Sequence, residues 1–567
     1  MKKNKPHIQQ TAQTSKKQKL SLFDKWNNYL NTIGSQKTLW FFIIIGVLLD
    51  FINFNARISE AHDDALYIEA AYRFVNEFPN YFYTANAPFY PMFLAVLYKL
   101  FGFQLIVFKL FNVLFHILAI ALFFKAFENM LPPVVFFPMM LFVSLNHHIV
   151  YFASMTFTES MFVFLQGLLF YFFRKLMDSY ANHQNFRQLY KPLLLLGFSM
   201  MLLVITRSGA VVVIPAVLFF FWIILKDKKL TMASLVAFLI FYLPFKLLIK
   251  IIFGNVSQYA NQSKILMQKD PYDASLGQED VFGFIQRFFD NSNLYLSKRF
   301  FQIIGWMSEN NTNTYGILAL VMWILLLWAM WKVYKNKNYV LLFASVYTLG
   351  LIVLSFVILQ ARWDQPRIIM VAMPVMIANY MYLFYEWFKK SVFWQRIYFL
   401  IFILFGVSML ISTTKRGVKN IPIVIKNLQG DIYYGYTPDW QNFLRASEWC
   451  GKNLPENAYV ASRKAPMSFV YGKRKFFPIY SVIKKDPETN QSNPDSALAY
   501  FKENGVTHIL LANLRIDPTK NTGQVINTIH NILEPIARKY PDALKVIHTE
   551  GESEECYVYE FNYNVKK

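Results

Sequence analysis

Phe89-Tyr90-Pro91-Met92-Phe93-Leu94-Ala95-Val96-Leu97-Tyr98-Lys99-Leu100-Phe101 is the stretch on which the topology of this chain turns. It is as apolar as a membrane span but reaches only about two thirds of the roughly 20 residues that a span needs. It also follows Pro88 and contains Pro91 and Lys99, which suits a juxtamembrane or re-entrant helix. Longer apolar runs lie near 38–55, 104–127, 133–151, 156–174, 191–206, 209–225, 231–253, 315–334, 338–360, 366–388 and 392–412, eleven in all. If 89–101 does not cross, the clusters Arg174/Lys175/Arg187/Lys191, Lys226/Lys228/Lys229, Lys332/Lys335/Lys337 and Lys389/Lys390/Arg396 share the side of the basic amino terminus. If it does cross, all of them fall outside. The positive-inside rule selects the first arrangement.

The expected architecture is therefore a polytopic α-helical membrane protein with about eleven spans. A cytoplasmic basic tail occupies 1–37, a transmembrane domain 38–412 and an extracytoplasmic soluble α/β domain 413–567. On the outer face lie a first loop, 56–103, and a large loop, 254–314. In the last domain, helical spacing over 440–449 and 495–504, the latter stopped by Gly505, alternates with apolar strands at 458–462 and 506–512.

Composition agrees with this reading. The chain has 567 residues, 55% hydrophobic and 18% aromatic with only 16% charged, a balance unlike that of a soluble multidomain protein. The formal charge of +22 sits in short clusters between apolar runs, the pattern of cytoplasmic loops and not of a nucleic-acid surface. The first forty residues, with Lys2, Lys3, Lys5, Lys16, Lys17 and Lys19, carry no signal-peptide cleavage pattern and are expected to be cytoplasmic and mostly disordered. Cys450 and Cys556 have no metal-ligand spacing; one disulfide is open to them if the tail lies outside.

Just upstream of the short apolar segment, Ala56-Arg57-Ile58-Ser59-Glu60-Ala61-His62-Asp63-Asp64-Ala65-Leu66-Tyr67-Ile68-Glu69 packs four carboxylates and a histidine beside the membrane. Ionisable groups at such a place are a functional-site hypothesis, the alternative being the acidic first turn of a surface helix. The outer ends of the spans add His147, His148, Glu159, Arg207, Arg362, Asp364 and Arg367 on the same face. Acids, guanidinium groups and aromatic residues near hydrocarbon together supply a base, cations for a phosphate and a groove for a lipid tail.

Three stretches resemble the GT-C superfamily of polyprenyl-phosphate-sugar-dependent glycosyltransferases, in its protein O-mannosyltransferase and lipid A aminoarabinose transferase branch. They are His62-Asp63-Asp64-Ala65-Leu66-Tyr67, Asn86-Ala87-Pro88-Phe89-Tyr90-Pro91-Met92-Phe93-Leu94 with Leu100-Phe101-Gly102 behind it, and Phe157-Thr158-Glu159-Ser160. Ala87 stands where that family often has a first proline, a departure in backbone shape and not in chemistry. The resemblance covers about 38–225 well and the later spans only in general plan. It implies an integral protein of the bacterial cytoplasmic membrane and an inverting sugar transfer from a polyprenyl phosphate, such as undecaprenyl phosphate, to a glycan, lipid or protein hydroxyl.

By that resemblance Asp63, or failing it Asp64, is the base. Asp64 or Glu159 orients hydroxyls, and Arg207, Arg362 and Arg367 are candidates for the phosphate. His147 and Tyr83 are further substrate-binding candidates, with interfacial anchoring as their other reading. A divalent metal stays open, because acids in one loop do not fix a ligand set. The rivals are a proton-coupled transporter, a lipid-linked-polysaccharide polymerase or ligase, and a scaffold presenting the outer domain.

Overall fold

The structure, a computed structural model, describes residues 21–565 apart from 61, 183–185, 257–259, 272, 487 and 518–522. Six lysines of the basic tail, Lys2 to Lys19, and Ala61 of the acidic stretch lie outside the described residues. The described part of the tail departs from the expected disorder. Leu22–Ile33 is a helix closed by a capping box between Ser21 and Asp24. Phe23 is buried against Tyr385, Tyr398 and Phe399, and the Leu22 N–H donates to Gln395 Oε1 at 2.8 Å. An apolar stripe too short to read as a span was enough to dock it.

Phe89–Phe101 is a thirteen-residue helix that stops at Gly102, whose φ of 72° is the left-handed conformation glycine adopts without strain. Thirteen residues leave it short of membrane length, and it packs against helix Asp63–Asn76 with Tyr90 edge-on to Tyr67 at 5.3 Å. Among the described residues, eight helices are long and apolar enough to cross: Ser35–Ile52, Leu105–Phe127, Thr158–Asn182, Arg187–Thr206, Lys228–Phe253, Gly316–Lys335, Tyr339–Ile358 and Val392–Leu428. Pro133–Leu145 and His147–Ala153 make a ninth, bent by 43°. At the bend Asn146 is extended and its side chain accepts from the His148 N–H, which starts a new helix instead of continuing the old one. The other two expected runs hold shorter helices, Ser208–Ile224 and Met373–Phe388.

Helices Tyr190–Thr206 and Lys228–Phe253 approach so closely that a Cβ on Gly197 would lie 2.4 Å from the Ala237 backbone. Small residues permit this kind of contact where no water drives helices together. The last helix, Val392–Leu428, has 37 residues and runs well past the expected end at 412. Lys415, Arg416, Lys419 and Lys426 are all good helix formers, so the polar composition that marks a boundary in sequence does not end the helix.

The 254–314 region is also structured. It holds helix Ala260–Met267, an antiparallel pair of strands, β1 (Gln268–Asp270) and β2 (Asp273–Gln278), helix Val281–Leu294 and a π-helical turn, Tyr295–Arg299. The carboxyl-terminal part is an α/β unit with strands β3 (Val460–Ser462), β4 (Phe476–Pro478), β5 (His508–Ala512), β6 (Leu544–Glu550) and β7 (Cys556–Phe561) in the order β4-β3-β5-β7-β6. β4, β3 and β5 run parallel, while β7 is antiparallel to β5 and β6. Helices Pro438–Asn453 and Pro494–Glu503 cover it, and Cys450 and Cys556 are buried free thiols. This unit sits on one end of the bundle. Helix Ala465–Gly472 packs on Asp63–Asn76, the Tyr436 hydroxyl donates to the Ile58 carbonyl at 2.6 Å, and Lys475 pairs with Glu77 at 2.6 Å.

Candidate active site

Two chambers meet beneath this α/β unit. The first, about 590 Å³, is walled by Leu351, Leu354, Ile358, Val371 and Phe162, with Asp63, Tyr67, Thr158, Glu159, Arg207 and Arg367 among its polar groups. The second, about 560 Å³, lies toward the α/β unit and is lined by His62, Tyr151, Phe157, Arg463, Lys464 and Tyr480. Asp63, Ile265, Gln365 and Arg367 line both.

Asp63 opens helix Asp63–Asn76, where its charge complements the helix N-terminus. Its Oδ2 meets Arg367 Nη2 at 2.5 Å. Arg367 in turn donates from Nε to Gln365 Oε1 at 2.7 Å, reaches Glu159 Oε1 at 3.8 Å and lies 5.3 Å over the Phe157 ring. Arg207 approaches the same Glu159 oxygen at 3.5 Å and lies over Phe162. Glu159 is 1% exposed and its Oε2 makes no hydrogen bond, although it lines the first chamber. A buried carboxylate with a vacant acceptor oxygen at a cavity wall is suited to a ligand hydroxyl.

The turn before Arg367 is held by charge. Asp364 adopts a left-handed φ of 39° and is clamped by Lys298 Nζ at 2.8 Å and Arg299 Nε at 2.5 Å, both from the π-helical turn. On the α/β side, Lys464 Nζ donates to the Glu60 carbonyl at 3.1 Å. Burial, and then the charge of Arg463, lower the Lys464 amine to about 8. Burial, followed by the charge of Lys464, brings His62 down to about 3, so its imidazole is neutral at physiological pH.

Thus Asp63, Glu159, Arg207 and Arg367, far apart in sequence, converge on the first chamber. Four other candidates do not. Asp64 is fully buried in the wall, where it accepts from the Ser59 N–H at 2.7 Å, and burial pushes its carboxyl up against the opposing pull of Lys109. Arg362 is paired with Asp270 and lines neither chamber, because the turn that aims Arg367 inward sends Arg362 toward β1. His147 stands against Glu309 at 3.3 Å, also away from both chambers. Tyr83 is buried and takes a hydrogen bond from Asn86 at 3.3 Å; Asn86 and Ala87, not Tyr83, reach the first chamber. Sequence reading missed Gln365, Arg463, Lys464 and Tyr480. Only the adjacent basic pair after β3 gave a signal, and in a soluble domain that pair reads as surface.

No protein-family model and no curated protein matches the sequence. Solved structures do. The oligosaccharyltransferase of Archaeoglobus fulgidus in its apo form aligns with TM-score 0.57 at 12% identity, over 86% of this chain and 70% of that one. ArnT from Cupriavidus metallidurans bound to undecaprenyl phosphate aligns with TM-score 0.55 at 11% identity, over 92% of this chain and 97% of that one. The archaeal enzyme tethered to an acceptor peptide aligns with TM-score 0.52 at 11% identity, over 94% of this chain and 75% of that one. Over most of its length the chain therefore has the fold of these oligosaccharyltransferase and ArnT structures.

Proposed function

We propose that this protein transfers a sugar from a polyprenyl-phosphate donor to an acceptor hydroxyl, with inversion, on the extracytoplasmic face of the membrane. The observation that carries the reading is the position of Asp63 at the seam between an apolar-walled chamber and one bounded by the α/β unit. The lipid-linked donor occupies the first chamber, its phosphate held by Arg207 and Arg367 and a sugar hydroxyl by the vacant oxygen of Glu159. The acceptor enters through the second. Its oxygen attacks the anomeric carbon, the bond from that carbon to the phosphate oxygen breaks with its electron pair leaving on the phosphate, and the hydroxyl proton passes to Asp63. Donor phosphate competes with Asp63 for Arg367, so donor binding frees the carboxylate Oδ2 that the guanidinium covers.

The likeness to structures holding undecaprenyl phosphate and an acceptor peptide supports both halves of this assignment. A transporter is less well supported: the charged groups gather at one end of the bundle beside the α/β unit, where rocking about a midplane site would not use them. The same reading places the amino terminus in the cytoplasm and makes 1–37, 38–412 and 413–567 the tail, the membrane unit and the outer unit, the last two joined through one continuous helix.

The test is release of undecaprenyl phosphate from a panel of undecaprenyl-phosphate-linked sugars by the purified chain given cell-envelope acceptors. Asp63→Asn should lower turnover about 100-fold or more while donor binding survives, and Asp64→Asn should leave more activity if it folds. Full turnover by Asp63→Asn removes this residue from the mechanism.

A further inference from the structure

We infer that His147, His148 and Glu309 form a divalent-cation site of the zinc class, outside both chambers. His147 Nε2 lies 3.3 Å and His148 Nε2 3.8 Å from Glu309 Oε1, and one donor atom from each residue falls within 4.8 Å of the other two. A tetrahedral ion with bonds of 2.0–2.1 Å sets its ligands about 3.3 Å apart, so the three donors need to move by no more than about an ångström. Both Nε2 atoms are buried and neither makes a well-formed hydrogen bond, an arrangement with a cost unless something occupies the lone pairs. Two imidazoles and one carboxylate with a fourth position open suit zinc; calcium and magnesium prefer oxygen alone.

The residues around the three ligands act as a supporting shell. Ser412 Oγ lies 3.4 Å from His147 Nδ1, and a proton on Nδ1 directed at that hydroxyl leaves the Nε2 lone pair for an ion. Asn146 starts the short helix that presents both imidazoles. The Gln302 amide donates to the Ser308 and Asn311 carbonyls at 3.0 Å each, which pins the loop that carries Glu309. Arg416 pairs with Glu309, but both side chains are nearly half exposed, so the guanidinium can give way to an ion by turning into solvent. The bound ion would tie the bent helix, the 304–315 loop and the last long helix together. Tyr151, on the same short helix as the imidazoles, lines the second chamber, and its position would be fixed by the ion.

The purified full-length chain, stripped with a chelator and equilibrated with zinc, should retain about one ion after desalting and melt at higher temperature than the stripped form. His148→Ala and Glu309→Gln should each lose the ion and the thermal shift. Glu309 is the more exposed ligand, so Glu309→Gln decides the matter if the histidine variant fails to fold. Cobalt in place of zinc should give the intense visible bands of a tetrahedral site. Arg416→Gln should bind zinc at least as tightly as the parent. Zinc retention by the parent no greater than by Glu309→Gln, or a cobalt spectrum of the hydrated ion, would show that the cluster is only an ion pair closed by Arg416. Neither readout depends on sugar transfer.

Discussion

Asp63 and Asp64 are adjacent in sequence and about 100° apart around a helix, so one first turn sends one carboxylate into the seam and the other into the wall. The resemblance put Asp63 first and Asp64 second; in the structure Asp64 is taken up by hydrogen bonds to Ser59, while Asp63 meets Arg367. The three arginine candidates separate in the same way. Arg367→Ala and Arg207→Ala should weaken donor affinity, each by about 2–5 kcal/mol if the phosphate is desolvated, and Arg362→Ala should leave it unchanged in a donor-binding titration. Equal affinity across all three variants would move the phosphate elsewhere. A separate expectation concerns Glu69, two turns along the same helix. Burial, opposed by Arg73 and Lys475, pushes its carboxyl up to about 7. The folded state therefore holds this proton more tightly than the unfolded state, and the contribution to stability falls as pH rises from about 4.5 to 7. Glu69→Gln should match the parent at pH 4 and exceed it at pH 8 by about 3 kcal/mol in thermal or denaturant melts in detergent.

At the scale of elements, the apolar runs located every membrane-length helix among the described residues, because a membrane span must satisfy its backbone internally and so announces itself by length and composition. What they did not locate is where helices break or continue. The bend at Asn146 arises from a side chain capping the next turn, and the last helix passes through a polar stretch without interruption. Close helix contacts were equally silent: Gly197 reads as an unremarkable small residue until Ala237 is set against it. Gly197→Val should lower the yield of folded protein and its melting temperature in detergent. Gly316→Ala, where an added Cβ meets nothing within 4 Å, should change neither. If the two variants behave alike, the close contact is not holding these helices together.

At the scale of the whole molecule, the proposed orientation, drawn from the short segment Phe89–Phe101 and the lysine clusters, can be checked by labelling. Single cysteines at Gln491 and Asn311 should react with an impermeant reagent from outside, and those at Lys228 and Lys335 only from the cytoplasm. Cytoplasmic labelling of Gln491 would invert the proposed topology. The sequence by itself determined that this is a bundle of membrane-length helices with an α/β unit at its end, since hydrocarbon thickness and charge asymmetry act on local runs of residues. It also disclosed Asp63, Glu159, Arg207 and Arg367 as candidates, because charged groups at the ends of spans stand out against apolar surroundings. Only the tertiary structure decided which of the candidates share a chamber. It turned Arg362 and His147 away, brought Arg463, Lys464 and Tyr480 of the α/β unit over the second chamber, and joined Glu309 to the histidine pair. These contacts bridge tens to hundreds of residues of chain, and the forces behind them, helix packing and long-range ion pairing, leave no period in the sequence that a local reading could follow.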